Sequence, residues 1–215
     1  SQEDALITDR ASFESFPWPD SSQTDTSKLE YLAGHLPDGM KIVASIGSGL
    51  LEWAMWLMGA ERLCLNIYDD PELVRDLLDA INANQVVRAG MVASHPDVIA
   101  VIIGDDLGFK TQTFLPPDVL RSLIFPGHRR IADAVHSFGK PYILHACGNI
   151  ESVMPDLIDD VGIDARHSFE DQITPVTGAK RAWGGRVALL GGVDMDRLAS
   201  SSEEDLRAYV RDILE

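Results

Sequence analysis

Residues 141–149, Pro141-Tyr142-Ile143-Leu144-His145-Ala146-Cys147-Gly148-Asn149, run from a short apolar stretch directly into polar and small side chains. A strand covered on both faces reads as a near-continuous apolar run, the signature of a parallel sheet. Residues 142–145 are the middle one of five such runs, the others lying at 41–46, 98–103, 164–167 and 187–190. Polar residues collect directly after four of the five, at Asp105-Asp106, His145 to Asn149, His167 to Asp171 and Asp194.

Helical periodicity fills the intervals, predicting helices over residues 50–58, 71–92, 117–138, 150–161, 175–183 and 203–214. The second of these has a clear start: Asp70 caps it, Pro71 suits the first helical position and Glu72 complements the dipole. Asp69-Asp70 is therefore read as a cap rather than a catalytic pair. Strands alternating with helices imply parallel pairing through right-handed crossovers. Single helices between strands and polar residues at strand ends favour an α/β barrel, whose active site is built at the carboxyl ends of its strands. Five strands do not close an eight-stranded barrel, which usually takes about 250 residues. The expectation is an incomplete (β/α)8 TIM-type barrel over residues 39–215, with about five parallel strands. Residues 1–38, with Pro17, Pro19 and Pro37 around Phe13, Phe16 and Trp18, are expected to form an irregular arm. Ser1 in place of Met is expected of a processed, tagged or excised chain.

With 215 residues, 45% of them hydrophobic, the chain can bury one ordinary core. Its net charge of -16, from 18 Lys and Arg against 34 Asp and Glu, opposes binding to phosphate backbones and anionic lipid. Arg129-Arg130 and Lys180-Arg181 are isolated pairs, not a basic patch. Neither nucleic acid nor membrane is expected as a partner, because the apolar runs fall far short of the ~20 residues of a membrane span. Cys64 and Cys147 belong to no repeated spacing, so a disulfide framework is not expected and a reducing cytoplasm is.

His145 and Cys147 are two residues apart at a strand end, so the strand period sends both to one face. Imidazole and thiolate together suit zinc. The alternative is a hydrogen-bonded barrel histidine beside a small buried cysteine. Cys64, within the apolar residues 63–67, makes a poor third ligand. Gly148 permits a sharp turn, and Asn149 can cap the next helix or meet substrate. Asp105 and Asp106 are candidates for acid-base work or for holding a substrate cation, although neighbours on a strand point oppositely and a helix or turn cap is the other reading. His167 and Glu170, with Asp171 and Gln172 beyond, are expected to line the same mouth or a solvated loop. Asp194, after Gly191-Gly192-Val193, contacts substrate or caps the next turn. Gly47-Ser48-Gly49 lacks the third glycine of a dinucleotide fingerprint, Glu52 standing in its place. No G-x-S-x-G elbow, P-loop or H-E-x-x-H motif occurs.

In order, Pro17-Trp18-Pro19-Asp20, Leu36-Pro37-Asp38-Gly39, Tyr68 to Glu72, Gly104-Asp105-Asp106-Leu107-Gly108, His145 to Asn149 and Gly191 to Asp194 resemble uroporphyrinogen decarboxylase-like proteins. The resemblance implies a (β/α)8 barrel, with further chain before Ser1 and after Glu215. Two chemistries compete within it. The cofactor-independent decarboxylases of heme biosynthesis act on a tetrapyrrole through an arginine-rich segment and an aspartate that would both precede Ser1. Met55 falls where they carry a tyrosine, and Asp106 where they carry a serine. The methyltransferase branch passes methyl groups between a corrinoid and a thiol or an O- or N-methyl substrate. Its H-x-C zinc pair maps onto His145 and Cys147, with a third ligand, a cysteine, beyond the present chain.

The reading is therefore a zinc-assisted methyltransferase-like enzyme, with His145 and Cys147 as ligands. Asp105, Asp106 and Glu170 are its candidate catalytic residues, and Asn149, His167 and Asp194 contact a small-molecule substrate. A corrinoid protein is the expected partner. Missing strands leave sheet edges that favour self-association. A tetrapyrrole decarboxylase and a non-catalytic corrinoid- or tetrapyrrole-binding module are the alternatives.

Overall fold

The computed structural model describes residues 5–215, so the first four residues of the arm lie outside them. The arm is not irregular throughout. Asp9 and Ser12 form a reciprocal capping box that starts α1 (Arg10–Ser15). Asp20 caps a 3-10 turn at Ser21–Gln23, and α2 (Ser27–Ala33) follows. α1 and α2 bury no residue of their own, so an apolar periodicity does not announce them. Phe13 and Phe16 lie edge-on to Trp18, with ring centroids 5.8 and 4.7 Å away, and all three pack on the main core.

β1 (Ile42–Ser48) leads through Gly49 into α3 (Leu50–Met58), which ends at Gly59 with φ +85°. That left-handed glycine separates α3 from α4 (Ala60–Asp69), a helix with Leu63 as its buried residue, and one the apolar reading of residues 63–67 did not resolve. α5 (Pro71–Ser94) starts as expected, the Asp70 carboxylate accepting from the Leu73 backbone N–H at 3.0 Å. It buries Leu73, Val74, Leu77, Leu78 and Ile81 at helical spacing against the sheet. β2 (Val98–Gly104) follows. α6 (Pro117–Val119), a π turn at Leu120–Ile124 and α7 (Phe125–His136) then lead to β3 (Tyr142–His145). A 3-10 turn, α8 (Met154–Asp156) and a second π turn precede β4 (Ala165–His167). The chain finishes with α9 (Val176–Trp183), β5 (Ala188–Leu190), α10 (Met195–Ser200) and α11 (Glu203–Leu214).

All five strands are parallel, in the spatial order β1-β2-β3-β4-β5. A doubly wound sheet reverses its order at a switch point. This sheet never does, so it is five consecutive strands of a barrel wall. The outward face, including Ile46, Val101, Ile103, Tyr142 and Leu144, joins the helices in the main core. The inward face forms a separate small cluster of Ala100, Ile143 and Ala165 with Ile102. That face is open in places: Val43 is 49% and Leu190 38% exposed. No helix among the described residues is long and apolar enough to cross a membrane.

Candidate metal centre at the strand ends

Parallel register sets Ser48, Gly104, His145, His167 and Leu190 in one row across the carboxyl ends of the strands. Just above it, three donors converge. His145 Nε2 stands 3.4 Å from Cys147 Sγ and 3.9 Å from Asp106 Oδ1. The ligating atoms of all three side chains lie within 4.8 Å of one another, and all three side chains are half-buried. The Cys147 backbone N–H donates to Asp106 Oδ1 at 2.9 Å, so the chain that presents the thiol also aims the carboxylate. With zinc bonded to nitrogen at ~2.0 Å and sulfur at ~2.3 Å, tetrahedral donors stand about 3.5 Å apart. The histidine–cysteine spacing fits that figure as it stands, and Asp106 requires a small movement. A nitrogen, a sulfur and an oxygen with one side open is the donor set of a catalytic rather than a closed structural zinc site.

The close approach of two loops fixes this geometry. Gly148 has φ +78°, and a Cβ there would overlap the Gly108 backbone. The Asn149 N–H donates to Phe109 O at 2.6 Å across the same contact. Glu170 reaches the loop from β4, its Oε1 accepting from the Gly148 N–H at 3.4 Å. Ser168 Oγ lies 3.6 Å from Cys147 Sγ. Burial pushes the Cys147 thiol up, and the Asp106 and Glu170 carboxylates add to this against a hydrogen bond with Ser168. Burial and the adjacent His145 hold His167 below the ordinary imidazole value. His167 is thus neutral at pH 7, with Nδ1 placed 2.6 Å from His145 Nδ1.

The remaining candidates stand elsewhere. Asp105 faces away from the centre and is fully buried. Its carboxylate accepts from the Leu51 N–H at 3.1 Å and the Glu52 N–H at 2.9 Å, capping α3 from a distance. His128 Nε2, 2.8 Å away, donates to the same carboxylate, leaving Nδ1 to accept from the Tyr142 hydroxyl at 2.8 Å. Burial, with Asp105 adding, holds the Tyr142 phenol well above its ordinary value, so it stays a donor. A Cβ on Gly49 would overlap the Asp105 side chain. Asp105 is an anchor between α3, α7 and β3, not an acid or base at the mouth. Asn149 Oδ1 accepts from the Glu151 N–H at 3.2 Å, starting the next turn. Asp194 caps α10 through the Asp196 and Arg197 N–H groups and also accepts from the Asp171 N–H at 2.8 Å. That is the capping alternative for Asp194.

Sequence reasoning missed Glu52 and Arg166. Glu52 was noticed only as the residue that breaks a glycine fingerprint. It sits in the first turn of α3, near the Ser48 side chain and the Asp106 backbone beside the centre. Burial pushes its carboxyl up, with the Asp105 and Asp106 charges adding to this against the Ser48 hydrogen bond. Its place one turn after a strand end is the signal that could have found it. Arg166 points outward from β4, 2% exposed, with Nε and Nη1 lacking partners and its guanidinium 4.7 Å over the Phe169 ring. Burial pushes it down to about 10. An arginine inside a three-residue strand gives no sequence signal of its isolation.

Residues 7–215 match the family model described as Uroporphyrinogen decarboxylase (URO-D). No curated protein matches the chain. Among solved structures, a methyltransferase from Methanosarcina mazei shares the fold with a TM-score of 0.68 at 20% identity. The overlap covers 88% of this chain and 55% of that one, so this chain spans about half the methyltransferase's length. The family model runs through all five strands and the strand-end centre, and the chain belongs to the uroporphyrinogen decarboxylase family.

Proposed function

We propose that the chain carries the metal-binding part of a zinc-assisted methyl-transfer site, with a corrinoid as the methyl carrier on a partner protein. The observation that carries this reading is the convergence of His145 Nε2, Cys147 Sγ and Asp106 Oδ1. Membership of the family and the methyltransferase named among its structural neighbours support it. His145, Cys147 and Asp106 would hold the metal, which the resemblance had left short of a third ligand within this chain. Zinc lowers the pKa of a bound thiol and so supplies a thiolate nucleophile. Glu170 places a carboxylate at the rim for a cationic group of a small-molecule substrate. His167 backs the His145 ring, and Glu52 stands behind Asp106 with its carboxyl pushed above the ordinary value by burial.

The partly open inner face supports association with another copy or another chain, and both cysteines are free thiols, which suits a reducing cytoplasm. Sedimentation is expected to show an assembly larger than a compact monomer.

Metal analysis of the purified chain is expected to give about one zinc per protomer, as one three-ligand site requires. His145→Ala or Cys147→Ser is expected to abolish it. Zinc retained by His145→Ala would sink the ligand assignment. Carboxyl loss from uroporphyrinogen by metal-free protein would favour the decarboxylase reading instead.

A further inference from the structure

An imidazole offers a lone pair from one nitrogen only when its other nitrogen carries the proton. In His145 the nitrogen turned toward Cys147 Sγ and Asp106 Oδ1 is Nε2. Use of that nitrogen as a ligand therefore requires the proton at Nδ1. The group facing Nδ1 is His167 Nδ1, 2.6 Å away, with the two ring centroids 4.9 Å apart and the planes tilted by 31°. A pair of nitrogens at this distance shares one proton. With that proton on His145, His167 accepts at Nδ1 and carries its own proton on Nε2.

We propose that His167 is a positioning residue, which accepts the Nδ1 proton of His145 and thereby fixes the tautomer and ring orientation that present His145 Nε2 to the metal. The proposal rests on the zinc reading above and assigns His167 a task other than touching substrate. His167 stands outside the donor cluster, which contains Asp106, His145 and Cys147. Metal-bound histidines generally need such a partner on their second nitrogen, and removing it weakens metal binding.

Three features hold the His167 ring in place. The register of β3 on β4 pairs His145 with His167 directly. Gly191, at φ +87°, packs against the ring, where a Cβ would stand at contact distance, 3.4 Å, from its Cδ2 and Nε2 atoms. Ser168, immediately after His167, has φ +84°, unique among the described non-glycine residues. Such backbone is costly for a side chain and persists where the surroundings enforce it. Here it turns the chain sharply after the ring and brings the Ser168 hydroxyl beside Cys147 Sγ.

The test uses the full 215-residue chain. Long-range 15N–1H correlation of the imidazoles in metal-free wild type is expected to show His145 protonated at Nδ1 and His167 at Nε2. The opposite tautomer of His145 would overturn the proposal whatever the metal result. Zinc competition against a chromophoric chelator forms the second arm. His167→Leu is expected to weaken zinc binding by about 10–100-fold, and His167→Gln, whose amide oxygen can accept the same proton, to recover most of that loss. Equal affinity in wild type and His167→Leu, or equal weakening in both variants, would reduce the ring to packing and end the proposal. A wild type that binds no zinc would instead sink the zinc reading, while the tautomer measurement still decides the pairing.

Discussion

Asp105 and Asp106 are consecutive residues whose carboxylates serve opposite sides of the barrel wall. Asp105 is buried against His128 and the start of α3, whereas Asp106 turns to the Cys147 backbone at the open mouth. The Asp105→Ala variant leaves two helix N–H groups and a buried imidazole without their acceptor. It is expected to lose about 3 kcal/mol or more of stability. Asp106→Ala, at a half-buried position, is expected to lose less than about 1 kcal/mol and to weaken zinc binding. Urea unfolding of both variants checks the pair of outcomes; a similar loss in the two would contradict the division of labour.

Gly148 sits where neither the backbone conformation nor the space admits a side chain. Its φ is +78°, and a Cβ would overlap the Gly108 backbone. Gly148→Ala is expected to cost about 2–4 kcal/mol, the sum of a left-handed alanine and an overpacked contact. Because Cys147 and Asn149 are tied to the same loop contact, the variant should also bind zinc more weakly. Denaturation midpoints and zinc titration measure the two effects separately, and an unchanged midpoint would show that the loops part without cost.

Much of this molecule is legible in its sequence, and the limits have physical causes. β3, α3 and α11 fall at the residues expected, because each is an apolar run or periodic stretch with a distinct boundary. α4 and the two helices of the arm escape notice because they bury one residue or none. The strand period pairs His145 with Cys147 without a structure, although β3 ends at His145 and Cys147 stands in the loop just beyond it. Asp106 joins them only because β2 lies beside β3 in register, and adjacency of strands is not written in local pattern. The task of Asp105 is less visible still, since it depends on His128 from α7 and Tyr142 from β3 meeting behind the sheet.

Arg166 is a cation inside the wall with no carboxylate at ion-pair distance among the described residues, Glu151 acting on it only from farther away. Two of its guanidinium nitrogens are buried and lack an acceptor, and stacking on Phe169 offsets only part of the lost hydration. Arg166→Met keeps most of the stem's packing and removes the charge. It is expected to raise stability by about 1–2 kcal/mol, as commonly follows when an ill-satisfied buried charge becomes apolar. Thermal or urea unfolding decides the sign. Destabilisation would mean that the guanidinium meets an anion in solution.

The C-terminal part of the chain is expected to be acid-sensitive through Asp194. Its carboxylate is 6% exposed and accepts from the Asp171, Asp196 and Arg197 N–H groups. The bond from Asp171, then the others, holds the carboxyl below its ordinary value. A depressed folded-state value means that the unfolded chain takes up the proton first as pH falls. The stabilisation is therefore complete above the unfolded value of about 3.9 and is lost as pH drops through that value toward the folded one. Asp194→Asn keeps an acceptor for α10 but loses the charge and one acceptor oxygen. It should be less stable than wild type at pH 6, with the gap closing toward pH ~2 as the wild-type carboxylate becomes protonated. Other carboxylates titrate in both proteins and cancel in the difference. Urea unfolding across this range makes the comparison, and a gap independent of pH would show that the hydrogen bonds at Asp194 do not favour its ionised form.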